Sequence, residues 1–362
     1  VRIGALFLFA VGAFFAGLVF TRMTRWIGGH YILPGSIENF DLIAKAVEKQ
    51  RKKGRLATIA LAGEDAETED GVKRVTADYV RLTELIRERW SDAQTRPHLA
   101  VKMSAFHPQF DPQNPEHLDK VTERLKLIAL AAKNADIYLE IDGERKKARS
   151  AQLEVFARLK QDSALKEWPG MGIAVQHYFT DTQDLINAQL NKAIEGKMNI
   201  GVRAVKGAYY EEERANGHGV WVQQFETDQA YREVVARLLR ERNVVYPMIA
   251  SMNPREQNFA HVAAMALGVD LQRYEHQMLI GMLPHLQDIM TRRGQRLRVY
   301  LVLGDFAAGI KYFKRRRVEI TGPNAISRRV YDPNVPIAEL ARLSNPLHPV
   351  GVMGDHRAAR PD

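Results

Sequence analysis

His98-Leu-Ala-Val-Lys-Met103 is a short apolar run that reads as a strand, and Asp136-Ile-Tyr-Leu-Glu-Ile141 reads as another. Between them lies Glu116–Lys133, whose apolar residues recur at helical spacing. Strand, helix, strand in that order predicts parallel pairing through a right-handed crossover. Working outward, the same unit recurs. Strands are predicted at 57–62, 172–178, 199–205, 245–250, 269–274 and 298–303. Amphipathic stretches such as Val72–Trp90, Asp181–Ala193, Val222–Arg242 and Gln257–Leu267 separate them. Eight units in succession predict an α/β fold, a (β/α)8 TIM-like barrel over residues 55–345. The competitor is a doubly wound sheet, but no Gly-x-Gly-x-x-Gly turn follows the first strand. Gly170-Met-Gly172 lacks the third glycine, and no phosphate loop is present.

The composition agrees with a folded chain. Of its 362 residues, 46% are hydrophobic and 26% charged, which excludes disordered, collagen-like and coiled-coil classes. The absence of cysteine excludes disulfide scaffolds, thiolate metal sites, iron–sulfur clusters and a Cys nucleophile. Fifty-two Lys and Arg against 43 Asp and Glu give a net charge of +9. That balance suits an anionic membrane face, an anionic cofactor or nucleic acid.

Ile3 to Phe20 carries no charge and no polar side chain. At about 1.5 Å per residue it reaches roughly 27 Å, near the thickness of a bilayer core. Residues 1–22 are therefore expected to form a hydrophobic N-terminal helix acting as a membrane anchor, with a buried helix as the alternative. Arg22 and Arg25 follow it and only Arg2 precedes it, so the remaining chain is expected on the cytoplasmic side. A secretory signal fits worse, since Phe20-Thr-Arg-Met-Thr offers no small-residue cleavage site. Residues 23–54 are predicted to hold a lead-in helix, capped by Ser36, with Phe40, Ile43, Ala44 and Val47 on one face. Arg51-Lys-Lys-Gly54 ends it, and residues 346–362 read as a polar tail. The chain reads as a free-standing protein or a fragment of a longer one.

Polar residues gather after the predicted strands, where a barrel places its chemistry. Glu64 follows the first strand, Lys102 and Ser104 the second, Asp142 the third and Gln176 the fourth. Arg203 and Lys206 belong to the fifth, Ser251 and Asn253 to the sixth, Glu275 and Gln277 to the seventh and Tyr300 to the eighth. Each alone is an ordinary ion-pair or loop residue. Buried polar groups left unpaired cost about 1–3 kcal/mol each, so their coincidence on eight strands points to a site. Beyond the last strand stands Tyr312-Phe-Lys-Arg315-Arg316-Arg-Val-Glu319. On a helix, Tyr312 and Glu319 come within reach of the two arginines, and adjacent guanidinium forks suit a carboxylate substrate. The alternatives are a solvated basic face or a nucleic-acid patch. No helix-turn-helix or RNA-binding motif supports the latter, so no nucleic-acid partner is expected. The 11 histidines show neither His-x-His nor His-Glu-x-x-His spacing, so no metal site is expected.

Taken together these motifs resemble the proline dehydrogenase family, from about residue 40 to 345. The resemblance is carried by Leu61-Ala-Gly63-Glu64, Val101-Lys102-Met-Ser104, Glu140-Ile-Asp142, Val175-Gln176-x-Tyr178 and Val202-Arg203-x-Val205-Lys206-Gly207-Ala208-Tyr209. It continues through Ala250-Ser251-Met252-Asn253, Tyr274-Glu275-x-Gln277-Met-Leu279, Arg298-Val-Tyr300 and the Tyr312/Arg315/Arg316/Glu319 helix. The resemblance implies noncovalent FAD at the C-terminal face and hydride transfer from L-proline to flavin N5, giving Δ1-pyrroline-5-carboxylate. A membrane quinone would reoxidise the flavin, and a pyrroline-5-carboxylate dehydrogenase would take the product. It places the substrate carboxylate on Arg315 and Arg316 beside Glu319, and walls the ring with Tyr209, Leu279, Tyr300 and Tyr312. Lys102, Asp142 and Arg203 form the implied catalytic group, and Glu64 the implied gate. Arg203, Gln176, Lys206, Gly207, Ser251, Asn253 and Glu275 are the implied flavin contacts, with Tyr210 against the adenine.

The sequence departs from the family pattern at four places. Ala60 stands where Asp is usual, Met252 where a histidine is usual, Arg317 where Leu is usual, and one extra residue precedes Gly322-Pro-Asn324. Weaker FAD retention is the expected consequence of the first two. The alternatives to proline oxidation are a dehydrogenase of 4-hydroxyproline or another cyclic imino acid, and a non-catalytic membrane-tethered barrel.

Overall fold

Along Leu56–Leu61 (β1), Ala57 and Ile59 pack outward under the helices, whereas Ala60 joins a separate cluster inside the barrel. This period-two alternation repeats on every strand and fixes which side chains meet at the axis. The computed structural model describes residues 33–34, 37–61, 67–196 and 198–304. Residues 1–22, Ser36, Glu64, Tyr312, Arg315, Arg316, Glu319 and the tail lie outside these.

The strands are β1, His98–Val101 (β2), Leu139–Ile141 (β3), Met171–Gln176 (β4), Ile200–Val205 (β5), Val245–Ala250 (β6), Glu275–Leu279 (β7) and Leu297–Gly304 (β8). Each pairs in parallel with the next, and β8 returns to β1 from Leu56↔Arg298 to Leu61↔Leu303. The barrel is closed, as the alternation predicted. Leu33–Pro34 adds a two-residue strand beside the end of β8.

The lead-in helix, Phe40–Arg51 (α1), buries Ile43, Ala44 and Val47 and sets Phe40 edge-on to Trp90, 6.1 Å between centroids. Glu69–Arg89 (α2) starts where Thr68 Oγ1 accepts from Gly71 N. Pro115–Asn134 (α3) starts at Asn114-Pro115, and its cap accepts from Glu116 N. Capping oxygens and a first-turn proline satisfy or remove amides that have no partner at a helix start. Lys146–Gln161 (α4), Thr182–Glu195 (α5), Tyr210–Ala215 (α6), Gln224–Arg240 (α7), Pro254–Ala266 (α8) and Pro284–Arg292 (α9) follow in order. No helix among the described residues is long and apolar enough to cross a membrane.

The second and fourth strands end two residues earlier than expected, at Val101 and Gln176, and two others differ more. The third starts at Leu139, not at 136. The seventh is not 269–274 but Glu275–Leu279. Val269 instead donates its amide to Ala264 O at the end of α8, and Asp270 Oδ1 accepts from Gln272 N to form a turn. The apolar side chains of Val269 and Leu271 pack on the core from this turn, which is why they mimic a strand.

The barrel axis is polar. Barrels of this kind are filled by layers of Val, Ile and Leu. Here Tyr138, Glu140, Arg203, Glu275 and Arg298 share the inward parity. Gly172 and Gly201 leave room for Tyr138: a Cβ at either would lie 2.0 or 1.5 Å from its hydroxyl.

Candidate active site

Asp142 follows β3 and stands at the centre of the mouth. Its amide donates to Val101 O on β2, which fixes the loop. Arg203 Nη2 donates to Oδ1, and the Tyr300 hydroxyl donates to Oδ2 at 2.6 Å. Lys102 Nζ lies 3.8 Å from Oδ2. Burial alone would raise the Asp142 carboxyl, but Arg203, Lys102 and Tyr300 together hold it below its ordinary value. It is therefore an anion that positions three other groups. The structure brings together all three residues expected to be catalytic, and Tyr300 with them.

Arg203 occupies the fourth place of β5, with its guanidinium carbon 5.1 Å from the centre of the Tyr300 ring. Burial opposes its charge, yet Glu140 and Asp142 keep it protonated and above its ordinary value. Its Nε lies 3.2 Å from Glu140 Oε1 without being aimed at it.

The chain after β5 forms one wall of the mouth. Gly207 turns it at φ +128°, where a Cβ would meet Tyr178 Cε1 at 1.7 Å. Gln176 braces this turn: its Oε1 accepts from Tyr178 Oη at 2.9 Å and Ala208 N at 3.3 Å, and its amide donates to Glu144 O. Tyr209 is buried under the Arg145 guanidinium, 5.2 Å from its ring centre. Tyr210 opens α6, stands edge-on to Tyr178 and donates to Trp221 O at 2.9 Å. Lys206 is drawn outward to Asp228 and to Glu256, the latter at 3.2 Å. Glu256 is also clamped by Arg232 at 2.8 and 3.1 Å.

Ser251 and Asn253 cap the loop after β6. Ser251 Oγ accepts from Asn253 N at 3.0 Å, and Asn253 Oδ1 accepts from Arg255 N at the start of α8. Between them, Met252 Sδ accepts from Leu279 N at 3.5 Å, so the thioether holds the end of β7. Leu279 packs on Ala60, Ala100, Tyr300 and Val302. Ala60 thus belongs to an apolar patch beside Asp142, which is a packing role for the residue that departs from the family pattern.

Glu275 needs correction. It opens β7 instead of following it, and so lies at the foot of the barrel, away from the other expected flavin contacts. Arg298 Nε donates to it at 2.7 Å, Gln277 at 2.8 Å and Tyr246 Oη at 3.1 Å. Burial would raise its carboxyl, but Arg298 above all lowers it to about 2. The misplaced strand produced the misplaced residue.

Four participants were given no role in the reading of the sequence. Glu140 shares the parity of Asp142, a signal available from period two alone. Asp228 and Glu256, which fix Lys206, sit on helices remote in sequence and gave no signal. Tyr178 lies within a quoted motif, but its contacts with Gln176 and Gly207 depend on the fold.

A sequence profile of the family described as proline dehydrogenase matches residues 43–329. The chain belongs to the proline dehydrogenase family. It is 32% identical to the bifunctional protein PutA of Rhizobium meliloti over 71% of this chain and 21% of that protein. It is 24% identical to proline dehydrogenase 2 of Bacillus subtilis (strain 168), over 78% of this chain and 83% of that one. Among solved structures, proline utilization A of Bdellovibrio bacteriovorus superposes with a TM-score of 0.82 at 24% identity, covering 91% of this chain and 36% of that chain. The chain spans about a fifth of the length of the bifunctional curated relative. The closed parallel barrel agrees with the fold of the solved neighbour.

FAD, which the family implies, suits the wall after β5. Trp221 Nε1 is a buried donor without a hydrogen-bond partner among the described residues. A permanent cation and the Tyr178/Tyr210 aromatic edge complete a donor set fitting an anionic, aromatic dinucleotide.

Proposed function

We propose that this protein oxidises L-proline to Δ1-pyrroline-5-carboxylate with FAD as the hydride acceptor and a membrane quinone as the final electron acceptor. The observation that carries the reading is the knot of Asp142, Arg203, Tyr300 and Lys102 beside the apolar patch of Ala60, Ala100, Val302 and Leu279. A small ring with one charged end suits a surface that is apolar on one side and ionic on the other.

In this reading Tyr300, Leu279 and Tyr209 wall the pyrrolidine ring, with Tyr312. Arg315 and Arg316, with Glu319 beside them, receive the carboxylate, and Glu64 closes over it. When bound, FAD supplies a two-electron acceptor that no side chain here provides. Arg203 gives it a fixed positive neighbour, a preorganised charge where negative charge develops. Gln176, Lys206, Gly207, Ser251 and Asn253 shape its seat, and Tyr210 faces its adenine. Asp142 orients Lys102 and Arg203. Its lowered affinity for protons makes it a poor base, so the proton of the proline ammonium is assigned to solvent.

The quinone ties the enzyme to a membrane, for which residues 3–20 are the proposed attachment. A pyrroline-5-carboxylate dehydrogenase is the proposed consumer of the product. The deciding experiment is an anaerobic absorbance spectrum of the purified protein before and after L-proline. Flavin bands that bleach support the reading. Bands that persist move the substrate away from proline, and their absence after adding FAD overturns the reading.

A further inference from the structure

Glu140 has no part in the chemistry described so far, yet neither of its carboxyl oxygens is hydrogen-bonded among the described residues. Its side chain is wholly buried. Its neighbours in register are Ala100 on β2 and Gly172 on β4, neither of which carries a donor. Both carboxyl oxygens lack a hydrogen-bond partner among the described residues, and so does the Arg203 Nε that lies 3.2 Å away. Arg203 has already committed Nη2 to Asp142, which is further held by Tyr300 and Lys102. At the foot, Arg298 is committed to Glu275. One guanidinium therefore faces two carboxyls, and only one of them is solvated by hydrogen bonds.

Resting on the flavoenzyme reading above, we infer that Glu140 is a positioning residue that takes up a proton when negative charge arrives beside Arg203 on flavin reduction. Burial pushes its carboxyl up to about 8, with Arg203 and Arg298 opposing and Asp142 and Glu275 adding to the rise. Tyr138, next but one along the chain, is neutral and adds no charge. Near pH 7 Glu140 is already protonated, and reduction of FAD to its anionic form consumes two electrons and one proton. Above pH 8 Glu140 is ionised while the flavin is oxidised. Two electrons then bring in two protons from solvent, one to the flavin and one to the Glu140 carboxylate. The second proton removes a buried anion that would otherwise compete with the reduced flavin for the same guanidinium.

The test compares wild type with Glu140→Gln, both loaded with FAD, by titrating the flavin potential against a reference dye from pH 7 to 9.5. The expected result is equal slopes near pH 7 and a steeper fall for wild type above pH 8, by up to one proton per two electrons. Equal slopes throughout overturn the inference and leave the function standing. Wild type that binds no FAD overturns both.

A second measurement needs no flavin. A carboxyl raised in the folded state stabilises fully below its unfolded value near 4.5, and that contribution is lost as pH rises through about 8. Flavin-free wild type is therefore expected to lose melting temperature relative to E140Q as pH rises from about 5 to 8, with no further divergence above that. Parallel melting curves overturn the inference. Should E140Q fail to fold, Glu140→Asp keeps the carboxyl, and an unmoved break in its potential–pH slope would overturn the assignment to this residue.

Discussion

The Tyr300 hydroxyl donates a 2.6 Å hydrogen bond to Asp142 Oδ2, joining the eighth strand to the loop after the third across the mouth of the barrel. Removing that donor leaves a buried carboxylate oxygen whose remaining ion-pair partner among the described residues is Lys102 at 3.8 Å. Tyr300→Phe is expected to lower unfolding free energy by about 1–3 kcal/mol. Asp142→Ala strips the partner from a buried Arg203 and is expected to cost more, about 3–5 kcal/mol. Urea unfolding of both variants checks the order, and proline oxidation is expected to fall in each.

The foot and the mouth are expected to answer differently to mutation. Arg298→Met leaves Glu275 as a buried anion, a loss of about 3–5 kcal/mol in stability. The proline KM of the folded fraction is expected to stay unchanged, because the hydrogen bonds of Arg298 go to Glu275 and Ala57 and not to the Asp142 knot. A changed KM at full folding would show that the foot reaches the substrate.

Acid sensitivity follows from the same pair. Glu275 binds its proton more weakly folded, at about 2, than unfolded, at about 4.5. Its contribution is present above pH 4.5 and is lost as pH falls toward 2. Wild type is expected to lose melting temperature over that window more steeply than Glu275→Gln, which differential scanning calorimetry measures.

Gly207→Ala meets two obstacles, a φ of +128° and Tyr178 at 1.7 Å. The backbone strain costs about 1–3 kcal/mol, and Tyr178 must also leave Gln176. The expected outcome is a lowered melting temperature with FAD lost on gel filtration. Normal retention would remove this turn from the flavin seat.

Lys206→Met is expected to be milder for the fold than an ordinary broken buried pair, because Arg232 still holds Glu256. Stability is expected to fall by less than about 3 kcal/mol. Flavin occupancy, read as the ratio of visible to protein absorbance, is expected to fall more than stability does.

The barrel was legible because strand and helix periods differ and recur in order. Asp142, Arg203 and Tyr300 were legible because each ends or lines a strand whose bounds the periodicity gave nearly correctly. Glu275 was misread for the converse reason: Val269 and Leu271 supply apolar side chains from a turn, and local pattern cannot tell a packed turn from a short strand. Glu140 was passed over because the motif drew attention to Asp142. The contacts of Lys206 join residues far apart in sequence, and no single-chain pattern encodes them.

Strand β8 presents Arg298 to the foot and Tyr300 to the mouth on the same inward parity. A single inserted or deleted residue in it would turn both outward together. Closure of the cylinder and assembly of the pocket are thus inherited as one trait. Change in the pocket would have to arise by exchange of side chains on this strand or by lengthening of the loops around it, with the strand itself acting as a ruler for both.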